Sequence, residues 1–196
     1  MPLLLNDKVY NLFHFSNEGD FEKLIEQKAD FIIGRVYAAS LERGESTNKN
    51  KGDLFYQEDV FIVFKDFFKR RDIQRRLKRL TNKSKIDTIC YVHSNLVKSI
   101  KELRNLEKVS FASKYLHFHF PKAFYILDSR VKKVLPELER YLNLKSRLRY
   151  NDKSVYSKYV HRLQAVRDEI KTQTRINLSI RELDSLLIRL ANSMAK

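Results

Sequence analysis

Residues 110–131 read SFASKYLHFHFPKAFYILDSRV, and the organisation of the chain turns on this stretch. An apolar run of Phe111, Tyr115, Leu116, Phe118 and Phe120 carries one lysine, Lys114, and is cut at Pro121, because the residue before a proline is pushed out of helical geometry. Beyond the break, Asp128-Ser129 stands where a helix would begin, since aspartate and serine are favoured N-caps. The stretch predicts a short helix over Ser110–Phe120, a break, and a second helix through Val131, Val134, Leu135 and Leu138 with a kink or restart near Pro136. Asp128 is the only acid between Glu107 and Glu137, and it follows Lys114 by fourteen positions.

Working outward toward the N-terminus, Ile86, Ile89, Cys90, His93, Leu96, Val97, Ile100 and Leu103 recur at three- and four-residue steps, the pattern of an amphipathic helix. His93 lies on its apolar stripe and reads as a core histidine. Thr81 to Lys85 interrupts the pattern, with Ser84 as a cap. Before it, a helix over about Gln57–Leu80 starts aromatic, with Val60, Phe61, Phe64, Phe67 and Phe68, and ends basic around Ile73, Leu77 and Leu80. The helical spacing of those phenylalanines reads as core and not as a base-stacking platform. Further back, Phe21, Leu24, Ile25, Phe31, Ile32 and Val36 predict a helix closing at Gly44, followed by a polar loop, Glu45–Asp53, as the candidate mobile segment. Toward the C-terminus, a helix is expected from about Ser154 to Lys171. Ser179-Ile180-Arg181-Glu182 has the spacing of a capping box ahead of Leu183, Leu186, Leu187 and Leu190.

Four glycines, three prolines and 32% charged residues in 196 favour long helices with few tight turns, so the fold class is all-α. That length, 43% hydrophobic, suits one compact unit over residues 1–196, or two lobes sharing one core. The single cysteine, Cys90, excludes an intramolecular disulfide and a cysteine-based zinc cluster. The opening MPLLLNDK lacks the features of a signal peptide, and no stretch reaches the roughly 20 apolar residues of a membrane span. A cytoplasmic location away from membranes is the expectation.

The net charge of +15 is concentrated. Lys65–Lys85 holds ten basic residues and two acids, and Arg130–Arg162 holds ten and three. Clustered cations of this kind suit a polyanion, because each neutralised phosphate releases a condensed counterion. The plainer alternative is a solvated surface that maintains solubility. The charge pattern favours nucleic acid, with Arg75, Arg76, Lys78 and Arg79 in one concentration and Arg130, Lys132 and Lys133 in the other as candidate contacts.

Ser110-Phe111-Ala112-Ser113-Lys114 resembles the hairpin of the helix-hairpin-helix DNA glycosylase superfamily, with Ser110 and Ala112 at positions usually occupied by glycine. Leu127-Asp128-Ser129-Arg130-Val131 resembles that superfamily's apolar-Asp-Thr/Ser-x-Val element, at a shorter interval from the lysine than in its better-known members. The whole phrase is similar to bacterial proteins with an 8-oxoguanine-glycosylase-like fold, and Arg181-Glu182-Leu183-Asp184 fits the same group. The resemblance implies a multi-helix glycosylase-like fold with a hairpin-like element near residues 84–131, acting on DNA without metal or other cofactor. It makes Lys114 the nucleophile and Asp128 the carboxylate, with amides around Ser110, Ala112 and Ser113 on a backbone phosphate. A neutral lysine amine would attack C1′ of an extruded nucleotide, the base would depart, and the Schiff base would permit strand cleavage. Apolar surroundings around Lys114 would favour that neutral amine.

Structural roles stand beside these. Asp128 suffices as an N-cap, and Lys114 can carry its ammonium out to solvent along its own stem. His117 and His119 would share a face in a strand but diverge by about 200° in a helix, which argues against a metal pair. Three expectations follow: a DNA-binding base-excision glycosylase with lyase activity, a nucleic-acid-binding or regulatory protein retaining the scaffold without the chemistry, or a helical module for an acidic protein partner.

Overall fold

A computed structural model describes residues 60–80, 86–144 and 154–194. The readings at Phe21–Gly44, at Glu45–Asp53 and at Thr81–Lys85, with the Ser84 cap, lie outside them. The described residues form seven helices and no strand: α1 (Phe61–Lys69), α2 (Arg71–Lys78), α3 (Ile86–Arg104), α4 (Val109–His119), α5 (Ser129–Tyr141), α6 (Val155–Thr174) and α7 (Ile180–Ser193). The all-α reading holds for them.

These residues fall into two units. Among the described residues, one contains 60–79 and Val92–His119; the other contains 80, 86–91, 120–144 and 154–194. In the first, α1 buries Phe64, Phe67 and Phe68, and α2 buries Ile73 and Leu77 while its cations face outward. Phe64 and Tyr115 of α4 have ring centroids 4.4 Å apart, with Phe111 and Phe68 about the same cluster at 6.1 Å from Phe64 and 6.0 Å from Tyr115 respectively. The tilted geometries are those aromatic rings favour over face-to-face stacking.

The single helix expected over Gln57–Leu80 is divided within its described part. Arg70 leaves helical geometry, with ψ 123°, and its carbonyl accepts the Gln74 amide at 2.9 Å to start α2. No glycine or proline marks this break. The Arg70 guanidinium bonds Asp72 and, 25 positions away on α3, Asn95 Oδ1, each at 3.1 Å. Of the stripe the sequence predicts, α3 buries Ile89, Cys90, His93, Leu96 and Ile100, while Ile86, Val97 and Leu103 are half-buried; Val92, outside that stripe, is buried too. Asn105 closes α3 at φ 53°, with its amide on the Lys101 carbonyl at 2.7 Å; asparagine is one of the few side chains that tolerate left-handed backbone.

In the second unit, α5 packs against α7 and α6 through Val131, Val134 and Leu135. α5 runs through Pro136 without restarting. Proline removes one helical bond, and buried residues on both sides of it, Val134 and Leu135 before and Glu139 and Leu142 after, hold the helix together. Its end is a Schellman motif: Leu144 donates to the Glu139 carbonyl at 2.9 Å and Asn143, at φ 55°, to that of Arg140 at 3.2 Å. Ser154 caps α6 through the Ser157 amide at 3.1 Å. Ser179 and Glu182 make the reciprocal capping box at 3.2 and 2.7 Å, and the Ser179 bonds hold the Glu182 carboxyl below its ordinary range. Glu139, buried on α5, pairs with both Arg162 Nε and Nη2 of α6 at 2.5 and 2.7 Å.

Candidate functional site

Ser110, Ala112, Ser113 and Lys114 all belong to α4. The connection from α3 is Asn105–Lys108, so the four residues lie inside the helix and not in the turn before it. The Ala112 amide is taken by the Lys108 carbonyl at 3.0 Å, and the Ser113 hydroxyl donates to the Ser110 carbonyl at 2.8 Å. Ala112 and Ser113 are fully buried, which leaves Ser110 as the half-buried member of the expected phosphate turn.

Lys114 is 8% exposed, so the residue does not extend along the surface as an ordinary solvated lysine would. α4 is buried continuously from Phe111 to Phe118. His93 of α3 fixes its start: Nε2 lies 3.0 Å from the Val109 carbonyl, and burial pulls the ring down to about 4 against the opposing effect of that bond. A ring so depressed is neutral near pH 7 and donates through Nε2. His117 and His119 point to different sides of α4, as helical spacing requires. His119 sits by Tyr115, with centroids 4.4 Å apart, and by Phe68; both its nitrogens are shut from solvent although the residue keeps some exposed surface, and burial lowers it to about 4.

Asp128 caps α5. Its Oδ1 accepts the Arg130 amide at 2.8 Å and the Arg130 Nε at 3.3 Å, with the aspartate side chain 15% exposed and the arginine 57%. The extended approach to it is pinned by two tyrosines of α6. Tyr156 donates to the Tyr125 carbonyl and Tyr159 to the Ile126 carbonyl, both at 2.9 Å, while Tyr125 donates to Gln164 Oε1 at 2.8 Å. Burial pushes all three phenols up, so each remains a donor. From the sequence Tyr156 and Tyr159 read only as members of an apolar stripe; their hydroxyls find partners 31 and 33 positions away, which no local pattern announces.

Of the expected nucleic-acid contacts, Arg75, Lys78 and Arg79 are exposed around α2, with Arg71 beside them, and Arg76 is half-buried. Arg130, Lys132 and Lys133 are exposed at the start of α5. The α2 cations and Lys114 belong to the first unit; Asp128, Arg130, Lys132 and Lys133 belong to the second. Among the described residues no group of three His, Cys, Asp or Glu side chains is placed to hold a metal, and no helix is long and apolar enough to cross a membrane.

No protein family, curated protein or solved structure matches the chain.

Proposed function

We propose that this chain is a DNA-binding protein that excises a base from a flipped nucleotide, with Lys114 as nucleophile. The observation that carries the reading is the burial of Lys114 in α4. Burial fixes the side chain in place and shields it from bulk water, as a nucleophile that forms a covalent intermediate requires.

In the proposed reaction the neutral Nζ bonds to C1′ as the glycosidic bond breaks, and the departing base takes that bond's electron pair and the proton that Nζ releases. Opening of the sugar ring gives a Schiff base to Lys114. Loss of a C2′ proton then expels the 3′ phosphate. Arg75, Lys78 and Arg79 around α2, and Arg130, Lys132 and Lys133 at the start of α5, are each a set of exposed cations suited to phosphate contacts, which position a strand without reading its sequence.

A second reading, binding without chemistry, draws on the Asp128 carboxylate being engaged already as a helix cap and with Arg130. Borohydride reduction in the presence of duplexes containing an abasic site or oxidised guanine separates the two. A covalent adduct that disappears in Lys114→Ala is the expected result. DNA binding without an adduct across a panel of lesions supports the binding-only protein, and no binding at low salt overturns both.

A further inference from the structure

The two sides of α2 differ in kind. Ile73 and Leu77, one helical turn apart, are buried. At 3.6 residues per turn, Arg71, Arg75, Lys78 and Arg79 fall within an arc of about 100° on the opposite side, and all four are exposed. Arg79 continues the arc from the cap position in right-handed helical geometry, with its amide on the Arg76 carbonyl at 3.2 Å. One flank of the arc is Gln74. The other is Asp72, whose carboxylate bonds the Arg70 guanidinium at 3.1 Å, with Arg76 farther round and half-buried. The exposed charge of α2 is therefore a single line. It rises about 12 Å along the axis from Arg71 to Arg79, in steps of about 4.5 to 6 Å. Arg70 also bonds Asn95 Oδ1 of α3 at 3.1 Å, which fixes the corner from which the line starts.

We infer that this line of cations tracks the phosphate backbone of one DNA strand, one cation to each phosphate, and leaves the bases unread. A nucleic-acid strand repeats a negative charge at every nucleotide, and a regular row of long cationic side chains matches that repeat. An acidic protein surface presents its carboxylates at no fixed interval. A helix seated in a duplex groove lies between two backbones and needs cations on both flanks, where α2 has glutamine on one and an aspartate paired with arginine on the other. α2 also carries no aromatic side chain on which a base could stack. The inference deepens the proposed function and rests on it only in taking DNA as the polyanion.

The full-length chain is compared with a variant carrying Arg71→Gln, Arg75→Gln, Lys78→Gln and Arg79→Gln. Fluorescence anisotropy over a salt series is read on oligothymidylate, on a mixed single strand containing guanine, and on a duplex. The glutamine variant is expected to lose about 3 from the slope of log affinity against log salt on each single strand, and about 3 to 4 on the duplex. A second variant, Arg71→Lys with Arg75→Lys and Arg79→Lys, keeps the charge and should keep the wild-type slope; circular dichroism verifies that both are folded. Loss confined to the duplex would place α2 between two backbones, and loss confined to the guanine-containing strand would make its arginines base readers. Either result overturns the inference, as does an unchanged slope in the glutamine variant or no binding of single strands by the wild type. An equal loss in the lysine variant also overturns it, because charge alone would then not account for the contact. Slope lost at α2 without any borohydride adduct upholds the line and removes base excision. An adduct with the slope unchanged does the reverse.

Discussion

Lys114→Met keeps much of the length and volume of a buried side chain and removes its ammonium. A buried lysine kept for chemistry can be replaced at modest cost, so Lys114→Met is expected to unfold within about 2 kcal/mol of the wild type in urea denaturation while the borohydride adduct is lost. A larger loss would instead make the lysine a structural element of the core. Asp128 needs a different substitution, because it caps α5. Asparagine caps about as well as aspartate, so in urea denaturation Asp128→Asn is expected to unfold within about 0.5 kcal/mol of the wild type and Asp128→Ala to lose about 1 kcal/mol. An equal loss in both would mean that the cap contributes little. His93 gives a pH signature. Its folded ring titrates at about 4 against an ordinary 6.5, so the unfolded chain takes up the proton first. Its contribution is complete above pH 6.5, declines as pH falls toward 4, and amounts to about 3 kcal/mol across that window. Urea midpoints measured through this range should show a shallower acid limb in His93→Gln; an unchanged limb would place the titration elsewhere.

At the scale of elements, what the sequence reveals depends on how far the deciding contact reaches. Ser154 marks in the sequence only the approximate start of a helix, whereas the caps at Asp128 and Ser179 are contacts within two or three residues, and both are legible there. So is the stop ahead of Pro121, which is a steric fact about neighbouring residues. The break at Arg70 is not legible, because an arginine bonding Asn95 of another helix supplies it. The fate of Lys114 is equally hidden: the same lysine on the same helix extends to water or stays buried according to what covers that face. Glu139 and Arg162, 23 positions apart, reach across two helices, and their pair supplies the test at this scale. Arg162→Met leaves the Glu139 carboxylate buried without that bidentate partner and is expected to cost about 3 kcal/mol, whereas Glu139→Met with Arg162→Met recovers most of the loss. A double-mutant cycle in urea measures the coupling, and one below about 0.5 kcal/mol would mean that α5 and α6 are held by their apolar contacts alone.

For the whole molecule the question is what a charge of +15 is for. Exposed cations that only maintain solubility have no reason to act as sets, whereas cations that displace counterions from a polyanion act in countable numbers. Arg75, Lys78 and Arg79 form one such set, and Arg130, Lys132 and Lys133 another. All six are exposed, so replacing either set by glutamine is expected to shift stability by less than about 0.5 kcal/mol for each residue. DNA affinity should fall linearly with log salt at a slope of about 0.9 per phosphate contacted, and each triple substitution should reduce that slope by about 2 to 3. Fluorescence anisotropy over a salt series measures it. If the first triple alone lowers the slope, contact is confined to the face around α2, and Arg130, Lys132 and Lys133 lose their assigned part. If both lower it, both sets contact phosphate. Should neither triple change the slope, neither set contacts phosphate, and the base-excision proposal loses the contacts it assigns to these six residues.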